Sequence, residues 1–200
     1  MSNTNNILDA PVAALKPSSW PDFVLEAIAV ALGASYTVLI TYGIIWCWPA
    51  AILSSGIFIY LCYTKRLYAE TALHLFYVAI AVYGWLTWGA ATTEGYKTWP
   101  WQNHVIAIIT GLLSSSALAW LLRKYTNAFW PGVDTFTAVF SIIATFMMVW
   151  AITDNWYYWI VIDTVSIFLY AGRRMYLTAL LFLVYTILSI YGALEWSQAA

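Results

Sequence analysis

Residues 48–88 read WPAAILSSGIFIYLCYTKRLYAETALHLFYVAIAVYGWLTW, and residues 156–196 read WYYWIVIDTVSIFLYAGRRMYLTALLFLVYTILSIYGALEW. Slid by 108 positions, the two stretches align without a gap and share 13 of 41 residues. Common hydrophobicity would match a few Leu and Ile. It would not align Trp48/Trp156, Arg66/Arg174, Tyr68/Tyr176, Tyr77/Tyr185, Tyr83/Tyr191, Gly84/Gly192 and Trp88/Trp196. Carried upstream, the same offset sets Glu26 opposite Asp134. An internal repeat of this length is read as a duplicated structural unit. Helices 1–3 are therefore expected to recur as helices 5–7, with helix 4 between them.

Both copies are too apolar for water. The chain is 63% hydrophobic and 8% charged, whereas a soluble domain carries roughly 25% charged residues. A membrane helix needs ~20 mainly apolar residues. Seven stretches meet or approach that length, at 22–42, 46–63, 67–89, 103–122, 134–151, 156–171 and 175–195. The fold expected is an all-α membrane protein of seven transmembrane helices. Residues 1–19 form an N-terminal tail, 22–89 a first triple-helix bundle, 103–122 a linker helix and 134–195 a second bundle. The tail holds Asn, Pro and Ser without a long apolar core, so it does not read as a signal peptide.

The charge pairs Lys65-Arg66, Arg123-Lys124 and Arg173-Arg174 fall only at breaks between spans. With seven spans all three lie on one side, which the positive-inside rule makes cytoplasmic. Lys16 then lies inside as well, with the N-terminus cytoplasmic and the C-terminus outside. Seven spans in this order place helices 1–3 and 5–7 in the same orientation, a parallel repeat. Parallel repeats occur in transporters whose substrate sits between the halves near the midplane. Trp46, Trp48, Trp85, Trp88, Trp99, Trp101, Trp150, Trp156, Trp159 and Trp196 gather near the outer face. An interfacial girdle accounts for several of them, and the excess suggests that some line an outer vestibule.

Three helix faces can carry chemistry. In helix 6, Trp156, Trp159 and Asp163 stand at i, i+3 and i+7, on one face. A carboxylate in an apolar span usually faces a cavity or a partner. Two indoles above it could sandwich a planar ring while the carboxylate neutralises a cation. A girdle Trp pair with Asp163 bonded to another helix is the alternative. The same face of repeat 1 reads Trp48, Ala51, Ser55, so the pocket is expected to be asymmetric. In helix 3, Glu70, His74 and Tyr77 share a face whose repeat-2 counterparts are Thr178, Phe182 and Tyr185. That face either contacts ligand or leaves Glu70 beside the Lys65-Arg66 turn and His74 in the core. Glu26, Gly33 and Thr37 of helix 1 match Asp134, Ser141 and Thr145 of helix 5. Such small and hydroxyl residues favour close packing, while Glu26 and Asp134, near the inner ends, form a gate or reach water. Gln102 and Asn103 at the outer start of helix 4 either cap it or reach a ligand.

Other functions find no support. A net charge of −1 offers no pull toward nucleic acid. Cys47 and Cys62 have no metal spacing, and no second His lies close to His74 in sequence. Phosphate loops, paired zinc histidines and nucleophile elbows are missing. No catalytic residue, metal or cofactor is therefore expected, and the chain does not read as an enzyme. A sensor or structural membrane subunit is the reading from another class.

The segment Asn155-Trp156-Tyr157-Tyr158-Trp159-Ile160-Val161-Ile162-Asp163-Thr164-Val165-Ser166 resembles the WxxWxxxN/D signature of the PnuC family of vitamin transporters. Tyr83-Gly84-Trp85-x-x-Trp88 and Leu177-Thr178-Ala179-Leu180-Leu181 are similar to the family too. The resemblance covers nearly all of the chain after Ser19. It implies a 3+1+3 fold like a full-length SWEET sugar transporter, in the cell inner (plasma) membrane. It implies downhill uptake of a water-soluble vitamin, trapped afterwards by a cytoplasmic kinase, and a homo-oligomer, a trimer. By the same resemblance Trp156, Trp159 and Asp163 bind substrate. Nicotinamide riboside carriers of the family often have Asn at the position of Asp163 and another Asn near Ser54-Ser55. This chain has Asp and two Ser there, and resembles the thiamine-carrying PnuT branch more. Thiamine is the substrate expected first, nicotinamide riboside or another nucleoside-like vitamin second. Relatives often carry their positive charges after helix 3 and at the C-terminus; here they lie in the other loops.

Overall fold

The computed structural model describes residues 20–41, 44–87, 97–149 and 152–199. The N-terminal tail, Lys16, Trp88 and Trp150 lie outside the described residues. Seven helices run in order: α1 Trp20–Thr41, α2 Cys47–Thr64, α3 Tyr68–Thr87, α4 Trp101–Tyr125, α5 Pro131–Val149, α6 Asn155–Gly172 and α7 Tyr176–Ala199. α5 begins three residues earlier than its apolar pattern, because Pro131 suits the first helical position.

Six of the seven are long and apolar enough to cross a membrane among the described residues. The exception, α6, is the shortest of the seven apolar stretches in the sequence. Its Asn155, Asp163, Thr164 and Ser166 lower its hydropathy, and burial answers for three of them. Asn155, Asp163 and Ser166 are all buried, and α6 packs between α5 and α7.

Packing follows the repeat. α1 lies on α2 and α2 on α3; α5 lies on α6 and α6 on α7. The two sets meet along two seams, α3 with α5 and α7 with α1, so that six helices close a ring. The seams are equivalent under the 108-residue offset. α4 stands outside the ring on α5. Gly111 of α4 lies so close to Phe140 that a Cβ would stand 2.7 Å from its ring. The Thr135 hydroxyl donates to the Ser115 carbonyl at 3.0 Å. Leu118 and Leu122 of α4 also pack on Ala69, Leu73 and Ala138, across the α3–α5 seam.

The basic turns are duplicated in detail. Arg66 and Arg174 are left-handed, with φ 63° and 60°. After them Leu67 N–H donates to Cys62 O at 2.9 Å, and Met175 N–H to Tyr170 O at 3.0 Å. This is the helix stop in which a left-handed residue lets the next amides satisfy late carbonyls. Leu67 and Met175 then turn inward and are fully buried with Leu61, Leu169, Cys62 and Tyr170. Neighbouring Arg173 is also buried, its guanidinium 4.1 Å over the Phe129 ring. Burial first, and then the like charge of Arg66, bring its pKa down to about 10, so it stays charged at neutral pH.

Candidate substrate site

Asp163 lies in the middle of α6, 3% exposed, and accepts a hydrogen bond from the Ser189 hydroxyl of α7 at 3.2 Å. A carboxylate at such depth is costly, roughly 2.5–3.5 kcal/mol even on lenient insertion scales, unless partners offset it. Tyr77 of α3 and Tyr185 of α7 both lie within electrostatic reach of it. The Tyr77 hydroxyl is met by Ser141 and Thr145 of α5, and the Tyr185 hydroxyl by Thr37 of α1. These are repeat-equivalent contacts, one across each seam. The predicted faces of helices 1 and 5 therefore do pack, but against the two tyrosines that flank Asp163.

Aromatic groups complete this region. The Trp156 indole lies on Gly192, where a Cβ would stand 2.8 Å from its ring; Trp48 lies on Gly84 in the same way. Trp159 packs with Phe140 and Ala144 of α5 and with Ile162 of its own helix. Its Nε1–H is buried and makes no hydrogen bond with the described residues. His74 stacks on Phe58 (4.9 Å, 14°) and meets Tyr77 edge-on at 5.8 Å. Its Nδ1 is likewise buried without a bond. Buried donors and acceptors of this kind are rare in folded chains. Trp46, Trp85 and Trp101 are largely exposed, as a lipid-facing girdle requires.

Other candidates are placed elsewhere. Ser55 is buried in α2, and adjacent Ser54 donates to the Ala29 carbonyl at 2.8 Å. Glu70 is committed: Thr137 donates to its Oε1 and Tyr170 to its Oε2 at 3.0 Å. Glu26 and Asp134 do not reach water, being 3% and 0% exposed. Asp134 accepts the amides of Ala69 (2.9 Å) and Glu70 (3.0 Å), capping α3. Glu26 accepts the Thr178 amide (2.8 Å) and hydroxyl (2.9 Å) at the start of α7. Each carboxylate caps the third helix of the other half, across a seam. Gln102 and Asn103 are exposed on α4 outside the ring. Asn103 borders an apolar groove with Trp99, Ile106, Ile143 and Phe146.

Sequence reasoning missed Ser189, Thr137 and the hub at Asp154. Ser189 could have been found, since the offset sets it against Ala81, a polar residue gained in the repeat that also gained Asp163. At the Trp-rich end Asp154 accepts the Trp99 amide at 2.8 Å and pairs with His104 Nε2 at 3.4 Å. The Thr153 amide bonds the Lys97 carbonyl at 2.8 Å. The segment leading into α4 is thereby fastened to the start of α6. Among the described residues no cluster of His, Cys, Asp or Glu is placed to hold a metal.

Residues 23–198 match the family model described as nicotinamide mononucleotide transporter. The nicotinamide riboside transporter PnuC of Neisseria mucosa is 27% identical over 96% of this chain and 77% of its own. The riboflavin/roseoflavin transporter RibM of Streptomyces davaonensis is 24% identical over 88% of this chain and 84% of its own. A crystal structure of the vitamin B3 transporter PnuC has the same fold, with a TM-score of 0.69 at 24% identity, covering 90% of this chain and 83% of that one.

Proposed function

The chain belongs to the nicotinamide mononucleotide transporter family, and from that premise we propose that it takes up a small, ring-bearing vitamin cation by facilitated diffusion. The observation that carries this reading is Asp163. It is a buried mid-span carboxylate whose only hydrogen-bonding side chain among the described residues is a neutral hydroxyl, Ser189. A cationic ligand supplies the missing counter-charge. Tyr77, Tyr185, His74 and the indoles of Trp156 and Trp159 supply ring surface and hydrogen-bonding groups around it.

Thiamine is the vitamin this chemistry favours. Relatives at nearly equal identity are named for nicotinamide riboside and for riboflavin, so identity at this level does not rank substrates. A carboxyl at Asp163 that a bound cation would hold ionised, with Ser rather than Asn at Ser54 and Ser55, suits a permanent cation with few hydroxyls. Nicotinamide riboside is the second reading, because it too is cationic and the Neisseria mucosa relative carries its name.

In this reading the halves 22–89 and 134–195 rock about the ligand, with α4 as the element between them. Glu26 and Asp134 act as paired gate latches at the basic end. That end faces the cytoplasm of an inner-membrane protein, where a kinase traps the vitamin. The carrier works as a homo-oligomer. Counterflow in proteoliposomes tests it. Vesicles loaded with unlabelled thiamine should accumulate labelled thiamine transiently, and Asp163→Asn should abolish the overshoot. Overshoot with nicotinamide riboside alone would exchange the ranking. Absence of overshoot with thiamine, nicotinamide riboside and riboflavin alike would favour a non-transporting subunit.

A further inference from the structure

A groove opens at the basic end between the α2–α3 turn and the end of α4, lined by Tyr63, Tyr68, Lys124, Tyr125, Thr126 and Asn127. The hydrogen-bonding pattern gives it a sign. The Tyr68 hydroxyl donates to Asn127 Oδ1 at 2.6 Å, so the Asn127 acceptor is used and its amide N–H groups are left to donate. The Thr126 hydroxyl donates to the Leu122 carbonyl at 2.6 Å. Lys124 is held at the groove by two rings, its Nζ 4.9 Å from the Trp120 centroid and 5.2 Å from that of Tyr125. No carboxylate is among the lining residues. Lys124, Asn127, Tyr63 and Tyr125, all able to donate, therefore line one opening. That donor set binds an oxyanion.

We propose that this groove is a binding site for a phosphate-bearing anion, and that the anion is the headgroup of an acidic phospholipid. Phosphate is the shared chemistry of a headgroup and a soluble phosphate. The surroundings favour the lipid. Lys124 at the groove lies over Trp120 of α4, and Leu113, Trp120 and Leu121 of that helix are 67%, 57% and 43% exposed. Acyl chains can lie along these side chains while the phosphate sits among the donors. α4 also packs over the α3–α5 seam through Leu118 and Leu122. A lipid seated here bridges α4 to the α2–α3 turn and braces one seam of the ring. Among the described residues the equivalent α7–α1 seam has no counterpart of α4.

The test uses the full chain in nanodiscs of neutral phosphatidylcholine, titrated with phosphatidylglycerol. Retained lipid is counted by native mass spectrometry and thermal midpoints are followed in parallel. The wild type should retain phosphatidylglycerol preferentially and melt higher with it. Lys124→Gln should weaken retention ~5-fold, the worth of one cation beside an anionic surface. Asn127→Asp, which adds a carboxylate to the groove, should weaken it further. Arg123→Gln removes an equal charge beside Gly132 of α5, outside the lining, and should weaken retention clearly less than Lys124→Gln. Inorganic phosphate alone should not raise the midpoint. If it does, and Lys124→Gln cancels the rise, the anion site stands but its ligand is soluble. Equal losses in Arg123→Gln and Lys124→Gln, or equal retention of both lipids, would overturn the proposal.

Discussion

Cys62 and Tyr170 stand 108 residues apart and touch, Sγ to Oη at 3.7 Å. They are the same position in the two repeats, so their contact straddles the axis relating the halves. The Tyr170 proton is committed to Glu70 Oε2, which makes the Cys62 thiol the donor to Tyr170. From there the chain of bonds continues through Glu70 and Thr137 to the α3 cap at Asp134. The centre of the ring is thus tied by polar groups rather than by apolar packing alone.

Tyr170→Phe should therefore cost more than Cys62→Ala. Losing the phenol leaves buried Glu70 short of a donor, a penalty of about 1–3 kcal/mol. A thiol is a weak donor, and its removal leaves nothing charged unpaired. Thermal midpoints of the purified variants check this. Equal midpoints for Tyr170→Phe and wild type would show that the chain of bonds does not hold the halves.

Glu26 and Asp134 make crossed caps, each on the third helix of the opposite half. Replacing either by Ala should destabilise by about 0.5–2 kcal/mol, as lost helix caps do. Glu26 bonds Thr178 and Asp134 bonds Ala69 and Glu70, with no shared partner. The double variant should then be additive within roughly 0.5 kcal/mol. If the caps are latches, both single variants should also change transport rate more than vitamin affinity. A change in affinity alone would assign them to the binding site instead.

The repeat, the helix order and the two basic turns were legible because each leaves a local mark: apolar length, paired cations, an offset that aligns rare residues. The crossed caps were half legible. The offset paired Glu26 with Asp134, but nothing local told that α1 meets α7. α6 was read as a span from its flanking rings, although its own polarity makes it intelligible only inside the ring. The surroundings of Gln102 and Asn103 are illegible in the sequence for a related reason. α4 has the high mean hydropathy of 2.1, and its apolar residues leave no single stripe to reveal which face docks. Its position depends on Gly111 meeting Phe140, a fit that no periodicity records.

Asp163→Asn keeps the shape of the side chain and removes its charge. If Asp163 pairs with a cation, affinity for thiamine should fall by roughly 10–100-fold, the 1.5–3 kcal/mol of a charged hydrogen bond. A neutral analogue should lose far less. Ser189→Ala should weaken both ligands slightly, since it only orients the carboxylate. Trp fluorescence titration reads all three. Equal losses for charged and neutral ligands in Asp163→Asn would remove the charge from the mechanism.

Gly84 and Gly192 separate packing from binding. An added Cβ would stand 2.3 Å from the Trp48 ring at Gly84 and 2.8 Å from the Trp156 ring at Gly192. Gly84→Ala and Gly192→Ala should each cost about 1–3 kcal/mol, the usual penalty of overpacking. Their effects on ligand should differ, because the repeats differ. Trp156 shares its helix face with Asp163, whereas Trp48 shares its face with Ala51 and Ser55. Moving Trp156 therefore disturbs a ring beside the counter-charge, and moving Trp48 does not. Gly192→Ala should weaken vitamin binding well beyond its loss of stability, while Gly84→Ala should lower the melting temperature and leave affinity nearly intact. If both variants weaken binding equally, repeat 1 contributes to the pocket as much as repeat 2, and the asymmetry inferred from Asp163 is wrong.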